Sequence, residues 1–532
     1  MLRKLRTLLV VATLLTSAVA APVGAQSLTD GEDAPIVQYA TDGELRPSFI
    51  VEFENDSADS LRDWVRGAES RELIELDNAS KTATVAAPHL HVMGGLFRLD
   101  GGSVEFFLTG EQLQSRSYIE DVAINYQLSY TEPVILESGD SWSTPQVGLL
   151  EFDDPAYPTN GVAFSEDANR TTMAEARESV GDISADSSGQ TVAVVDTGAN
   201  TADGRVFGNG SVGSPIRISN ASKNVMTNET VADAGWDAIE DGNGHGTWTA
   251  ASIAANASGT VHDGVAPDSQ LLVVKALADD GGGSTANIAD AIRYAADQDA
   301  DVISLSLGAK LRSEPVVDAV TYAQDAGSVV VVAAGNSRQT RSPGVATPAD
   351  VAGVITVGAT NGSGPQEAWS AYFSQYAGSQ AADGNVTNAE PIDVVAPGMQ
   401  IVARTPTTGG SLTNTSLSGT SMATPIVAGG IAQAMAANDT VSSFSDGDSL
   451  AEASPAEVHD AVTNSASPAP HLATAEAGHG MFNATNLASG THPETSQSEA
   501  MTDPAQQRQT YYEAAAEAAG GFLARVASAA GG

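Results

Sequence analysis

The sequence predicts an α/β protein built on a doubly wound parallel sheet and preceded by a small α+β unit. Three observations predict it: short apolar runs too continuous for half-exposed strands, helical spacings between them, and a change of texture near residue 140. The runs are Val192 to Val195, Leu271 to Val274, Val302 to Leu307, Val329 to Ala333 and Val354 to Val357, the pattern of strands covered on both faces. Between them Ile288, Ala291, Ile292 and Ala295 recur at helical spacing, as do Val316, Val320 and Ala323. Their alternation puts helices on both faces of parallel strands.

Taken in order, the chain begins with Arg3, Lys4 and Arg6, then an apolar stretch from Leu8 to Leu15 and the small-residue pattern Ala18-Val19-Ala20. Residues 1–25 read as a signal peptide, with the cut after Ala20 or at Ala25. Arg3-Lys4 is not a twin-arginine pair, which favours the general secretory route over Tat. No later stretch has the length and apolarity of a membrane span. A secreted, extracellular product is expected.

Residues 26–135 comprise a polar linker and an α+β module. Phe49 to Phe53 alternates toward a strand, and Asp56 or Ser57 is placed to cap a helix with Leu61, Trp64 and Val65 on one face. Thr82 to Ala87, Ser103 to Leu108 and Ile119 to Tyr126 read as strands and Gln112 to Ser117 as a short helix, the order of a ferredoxin-like split βαβ unit. Residues 136–488 carry the α/β pattern. Residues 489–532 run from a polar stretch into an Ala-rich pattern that sets Tyr511, Ala515, Ala518, Phe522 and Val526 on one face. A docking helix and a frayed tail both fit that last segment.

Composition limits the partners. With 66 acidic and 24 basic residues, only five of them Lys, the net charge is -42 and the excess is spread along the chain. Nucleic acid and anionic membrane surfaces would repel such a protein. Molar salt shortens the Debye length to about 3 Å and screens the self-repulsion, so the composition points to a salt-adapted host, an ordinary acidic secreted protein being the alternative. The absence of cysteine rules out disulfides, thiolate nucleophiles and thiolate zinc sites.

Three segments gain meaning together. Val192-Ala193-Val194-Val195-Asp196-Thr197-Gly198 sets a carboxylate at the C-terminal edge of a parallel strand, where open α/β sheets build sites. Asp241-Gly242-Asn243-Gly244-His245-Gly246-Thr247 sets an imidazole after a glycine-rich loop, and Ser418-Gly419-Thr420-Ser421-Met422-Ala423-Thr424-Pro425 starts a helix with a hydroxyl. A serine hydroxyl is a weak nucleophile until an imidazole takes its proton, and a carboxylate orients that imidazole. The helix starting at Ser421 directs free N–H groups toward a carbonyl under attack, and Asn336, ending Val331 to Asn336, offers a side-chain donor beside them.

The order Asp196, His245, Asn336, Ser421 in these local sequences resembles the subtilisin-like serine peptidases, closest in character to the halolysin-like secreted subtilases. Gly264 to Pro267, Asp301 to Gly308, Val394 to Gly398 and Gly478 to Ala484 resemble family segments in the same order. The resemblance spans residues 140 to 488 or so and implies a subtilisin-type fold for the α/β domain. It also implies a serine endopeptidase acting on proteins and peptides through an acyl-enzyme, with no cofactor needed for the chemistry. Ser306, Leu307 and Gly308, together with Ala333, Ala334 and Gly335, would line the cleft for an extended substrate. The small residues imply broad specificity favouring large apolar side chains before the cut. The α+β module would be a propeptide that blocks the cleft as an intramolecular inhibitor until cleaved within 127–150, a permanent N-terminal domain being the alternative.

The resemblance also makes structural calcium an expectation, with Ala255 to Asp263 of the right length for a calcium loop but with Asn256, Ser258 and His262 undiagnostic, so the metal ligands are unknown. Where the family often carries a second histidine, three positions after the first, this chain has Trp248, for which packing consequences are expected. The histidines at 89, 91, 262, 459, 471, 479 and 492 read as surface or packing residues. Two other functions remain to be weighed: a non-catalytic binding module on the same scaffold, and an acyl hydrolase, although Ser421 lacks the Gly-x-Ser-x-Gly surroundings of α/β-hydrolases.

Overall fold

The computed structural model describes residues within 48–130 and 171–510, apart from short internal stretches. The leader, the strand expected over 103–108 and the helical face from Tyr511 to Val526 lie outside the described residues. The chain divides into two compact units, up to Gln127 and from Leu128 onward.

The first unit is an antiparallel sheet ordered Glu72–Asp77, Thr82–Ala86, Ser48–Phe53 and Ile119–Asn125. This is the strand order of a ferredoxin-like unit, as expected from the sequence. The helix Ala58–Arg66 buries Leu61, Trp64 and Val65, spaced i, i+3, i+4, against Phe49, Val51, Phe53 and Val85. Ser57 stands at its N-cap, but its side chain makes no capping bond. The strand Glu72–Asp77 was not expected, because its acidic residues interrupt the alternation that marks a strand. Within the helix expected over 112–117, Leu113 is helical and fully buried, and the chain bends at Arg116.

The second unit is organised by an eight-stranded sheet. In spatial order its strands are Glu229–Thr230, Lys223–Asn224, Gln270–Lys275, Thr191–Asp196, Val302–Leu305, Val329–Ala333, Ile355–Thr360 and Val394–Pro397. All neighbours run parallel except the first pair. The chain leaves Thr191–Asp196 toward one side and later returns to build the other, so this strand is the topological switch point. The run read as one strand from Val302 to Leu307 breaks at Ser306. Leu307–Gly308 leaves the large sheet and pairs antiparallel with Tyr130 and Ser129. The strand Gln127–Tyr130 is the middle of three, with Gly282–Ser284 on its other edge.

Helices cover the sheet as the spacings predicted. Thr285–Asp297 buries Ile288, Ala291, Ile292 and Ala295 and is capped by the Ser284 hydroxyl, which accepts from Asn287 N. Glu314–Asp325 buries Val316, Val320 and Ala323. The helix Thr420–Ala437 is buried on every side from Thr420 to Met435, as a helix through the middle of a core must be. Past Ser489 the described chain packs back on the unit: Gln497 is buried and bonds the backbone of Ala469 and Leu472, while Thr502 N donates to Pro470 O.

The helix Pro455–Ser465, closed by a capping box between Ser454 and Glu457, carries His459. Its Nε2 meets Asp393 Oδ1 at 3.2 Å, and that hydrogen bond holds the imidazole above its usual range, against the opposing pull of burial. A raised histidine contributes stability that is complete below about pH 6.5 and fades as pH rises through the raised value. His459→Gln is therefore expected to lower the melting temperature by about 2 °C near pH 6, with the gap closing toward pH 9. Melting curves of both proteins across that range check this. A gap that widens with pH would contradict it.

Candidate active site

Asp196 ends the switch-point strand, and both of its carboxylate oxygens face His245 Nδ1, at 2.8 and 3.0 Å. Both side chains are buried. Thr197 N donates to Asp196 Oδ1, and the Thr249 hydroxyl approaches Oδ2 at 3.4 Å. His245 is the first residue of the helix His245–Ala254, whose close approach to the strand depends on Gly246. A Cβ at Gly246 would run into the Gly198 carbonyl oxygen.

The loop ahead of His245 is held by a residue that the sequence reading passed over. Asp241 is fully buried and accepts bonds from Asn243 N, Gly244 N, Thr247 N, the Thr247 hydroxyl and the Thr197 hydroxyl. A carboxylate with that many donors is paid for its desolvation and fixes the loop on the strand that carries Asp196. Lys275, also buried, donates to the Thr197 carbonyl and to Asp279 Oδ1, and the latter bond holds the Asp279 carboxyl below its usual range. Asp279 in turn binds Gly242 N and, through its carbonyl, Asn243 Nδ2. A signal existed for Asp241, an acidic residue one helical turn before the histidine with Thr247 beyond it. None existed for the Lys275–Asp279 clamp.

Ser421 sits in the first turn of Thr420–Ala437 and is buried. Pro425 lies in the same helix and has no N–H to give the Ser421 carbonyl four residues earlier. The Ser306 hydroxyl supplies that bond at 2.9 Å, and Ser421 Oγ donates to the Ser306 carbonyl at 3.3 Å. Ser306 thus spends its side chain on the serine helix, and Leu307 and Gly308 form the strand edge described above. Ala333 and Ala334 are fully buried, and Gly335 N donates to the Thr420 hydroxyl.

Asn336 comes to the same turn. Its Oδ1 accepts from Thr420 N and the Thr420 hydroxyl, both at 2.9 Å, which leaves Nδ2 as the donor end of the amide. A Cβ on Gly419 would come within 3.1 Å of that nitrogen, so the amide lies beside the serine turn. If an oxyanion forms at that turn, Asn336→Ala is expected to cut kcat by about 100- to 1000-fold at nearly constant KM, the range measured for such a donor in a serine peptidase. Steady-state kinetics on a peptide substrate check it.

Trp248 is fully buried, and its Nε1 donates to the Thr415 carbonyl of the hairpin formed by Ile401–Pro406 and Leu412–Leu417. Of the loop 255–263, Asn256 N donates to the Val206 carbonyl, while Ser258 and His262 lie outside the described residues. Among the described residues no group of three or more His, Asp or Glu side chains is placed to hold a metal ion. No helix among them is long and apolar enough to cross a membrane.

Residues 187–508 match the profile of the subtilase family. The chain is similar to thermitase of Thermoactinomyces vulgaris, 40% identical over 204 residues covering 37% of this chain and 64% of that protein. It is 33% identical over 353 residues to an alkaline protease of Alkalihalobacillus alcalophilus, covering 62% of this chain and 80% of that one. The chain spans about half, 52%, of the length of a thermophilic serine proteinase of Bacillus sp. (strain AK1), at 38% identity. Among solved structures, fervidolysin from Fervidobacterium pennivorans, a keratinolytic enzyme related to subtilisin, superposes with a TM-score of 0.60 at 22% identity, over 88% of this chain and 63% of that one, a likeness of fold. With the family profile matching more than half of its length and an aligned relative covered over most of its own, the chain belongs to the subtilase family.

Proposed function

We propose that this chain is a secreted serine endopeptidase, in which Ser421 is the nucleophile, His245 the base, Asp196 its orienter and Asn336 an oxyanion donor. The observation that carries the reading is the grip of both Asp196 oxygens on His245 Nδ1. That grip fixes the tautomer whose Nε2 accepts a proton. As Ser421 Oγ attacks a peptide carbonyl, His245 takes the hydroxyl proton and Asp196 stabilises the imidazolium. The Asn336 amide and the N–H groups at the head of the serine helix receive the oxyanion. His245 then protonates the leaving amine, and water repeats the sequence on the acyl-enzyme. The chemistry needs only water and the chain's own groups, with no cofactor.

The proposal extends to organisation and substrate. Residues 1–25 are a signal peptide, 26–135 a linker and propeptide, 136–488 the catalytic domain and 489–532 a tail. The two strands Gly282–Ser284 and Leu307–Gly308 are the walls of a cleft for extended peptides, in which strand pairing supplies affinity with little demand on sequence. The position of Ser129 and Tyr130 between them supports the propeptide as an intramolecular inhibitor. Ser306 to Gly308 and Ala333 to Gly335 shape the substrate site, with a preference for large apolar residues before the cut. The net charge of -42 supports adaptation to high salt and kinship with halolysin-like enzymes.

The test is hydrolysis of a fluorogenic peptide with a large apolar residue before the cut, in molar salt, with a fluorophosphonate probe to label the nucleophile. Turnover that stops when Ser421 alone is labelled supports the proposal. A folded protein freed of its N-terminal unit, inert and unlabelled, would be a binding module instead. A product profile dominated by Lys or Arg would overturn the specificity. Melting is expected to rise steeply between about 0.1 M and 1 M salt, as the Debye length falls from about 10 to 3 Å. A sharp transition of unchanged midpoint in dilute buffer would sink the salt adaptation.

A further inference from the structure

Two residues beyond Asn336, Arg338 enters an environment that the proposed mechanism does not use. Its Nη2 meets Glu476 Oε1 at 2.8 Å, with the two side chains only 7% and 2% exposed. Its Nη1 donates to the Ser370 hydroxyl at 2.9 Å, and the guanidinium lies over the Tyr376 ring at 4.8 Å. An ion pair this deep gives little net stability after desolvation, so a contribution to geometry is the better account of it.

The backbone shows which geometry. Gly335 O accepts from Gln375 N, and Arg338 N donates to Phe373 O, so Asn336 is slung between two attachments to the segment Phe373–Gln375. That segment is held in turn by the Arg338 side chain through Ser370. Glu476 is itself fixed, its Oε2 accepting from Ala473 N. The loop before it is clamped by three bonds from the Gln497 side chain, and Ala475 N donates to Gln509 Oε1. Ala334, Ala469, Leu472 and Ala477 share one apolar cluster beneath, and Trp369 stacks on His471 above at 4.8 Å with 5° between the rings. The segment that carries the amide is thus tied, through Arg338 and Glu476, to the C-terminal part of the chain.

We infer that Arg338 and Glu476 are positioning residues for the Asn336 amide, bracing it through the segment Ser370–Gln375 against the loop that Gln497 clamps. The inference rests on the proposed role of Asn336. An oxyanion donor is effective only when held still at the place where charge develops, and looseness there is felt in turnover before it is felt in substrate binding. The brace supplies that stillness from a part of the chain far from Asn336 in sequence.

The test is a double-mutant cycle of Glu476→Gln with Asn336→Ala in the full chain, each protein assayed well below its melting temperature. The readouts are kcat, KM and the affinity of a peptide aldehyde, whose tetrahedral adduct places its oxygen beside the amide. Glu476→Gln is expected to lower kcat and aldehyde affinity together by about tenfold with KM within twofold, and to cost less than twofold in the Asn336→Ala background. Gln497→Ala is expected to give a smaller loss of the same kind. If Glu476→Gln does not fold, Arg338→Lys is read in its place by the same criteria. A variant that lowers the melting temperature but leaves kcat and aldehyde affinity unchanged overturns the inference. So does one that loses the same factor in both backgrounds. Wild type without peptidase activity would instead overturn the proposed function, before the cycle begins.

Discussion

Replacing Ser421 by Ala is expected to lower kcat on a peptide by about a millionfold, the magnitude measured for the nucleophile of a subtilisin, with KM and melting temperature nearly unchanged. The structure explains why loss of activity and loss of fold should separate. Ser421 Oγ makes a long 3.3 Å bond to the Ser306 carbonyl, whereas the bond that secures the helix there runs from the Ser306 hydroxyl to the Ser421 backbone. Ala keeps the backbone bond and removes one oxygen, so packing is undisturbed. Single-turnover kinetics in molar salt, compared with thermal melting, separate the two quantities. Activity within tenfold of wild type would remove Ser421 from the proposed role.

Asp196→Asn is expected to cost about ten-thousandfold in kcat. As an acceptor-only group, the carboxylate forces His245 to carry its proton on Nδ1. An amide in its place presents one NH2 group. Turned toward Oδ1's position it opposes Thr197 N, which donates there, whereas turned toward Oδ2's it meets the Thr249 hydroxyl, which can accept from it while donating to Gly246 O. Either way an N–H faces the ring at a site where His245 Nδ1 now meets both oxygens, and the ring answers by moving its proton to Nε2. That tautomer has nothing with which to accept the Ser421 proton. The nitrogen chemical shifts of the imidazole, read together with kcat, check both halves of the argument. A full rate with the proton still on Nδ1 would show that orientation by Asp196 is dispensable.

Much of this was legible in the sequence, for reasons that differ by element. Strands buried on both faces announce themselves as unbroken apolar runs, and Thr191–Asp196, Gln270–Lys275 and Val329–Ala333 fall within a residue or two of the runs that predicted them. The run from Val302 to Leu307 misled because apolar continuity does not reveal where a chain changes partners, and here it does so at Ser306. The hairpin of Ile401–Pro406 and Leu412–Leu417 was missed because its polar threonines and asparagine show no alternation. The four candidate catalytic residues were readable because each lies in a local sequence with its own meaning. Asp241, Lys275 and Glu476 were not, since each matters through partners that only the tertiary fold brings near. The Arg338–Glu476 pair spans 138 positions, and nothing local marks either residue.

The switch-point strand has a consequence in time as well as in space. Asp196 belongs to the first-made strand of the large sheet, whereas Ser421 belongs to a helix that follows the last-made one, Val394–Pro397, at the sheet's edge. A chain emerging from the ribosome therefore displays its acid and its imidazole long before its hydroxyl exists, and the three converge only when the final strand has docked. On the proposed function, a nascent molecule lacks its nucleophile until residue 421 of 532 has been made, so assembly order withholds activity up to that point and leaves an inhibitor only the time after it.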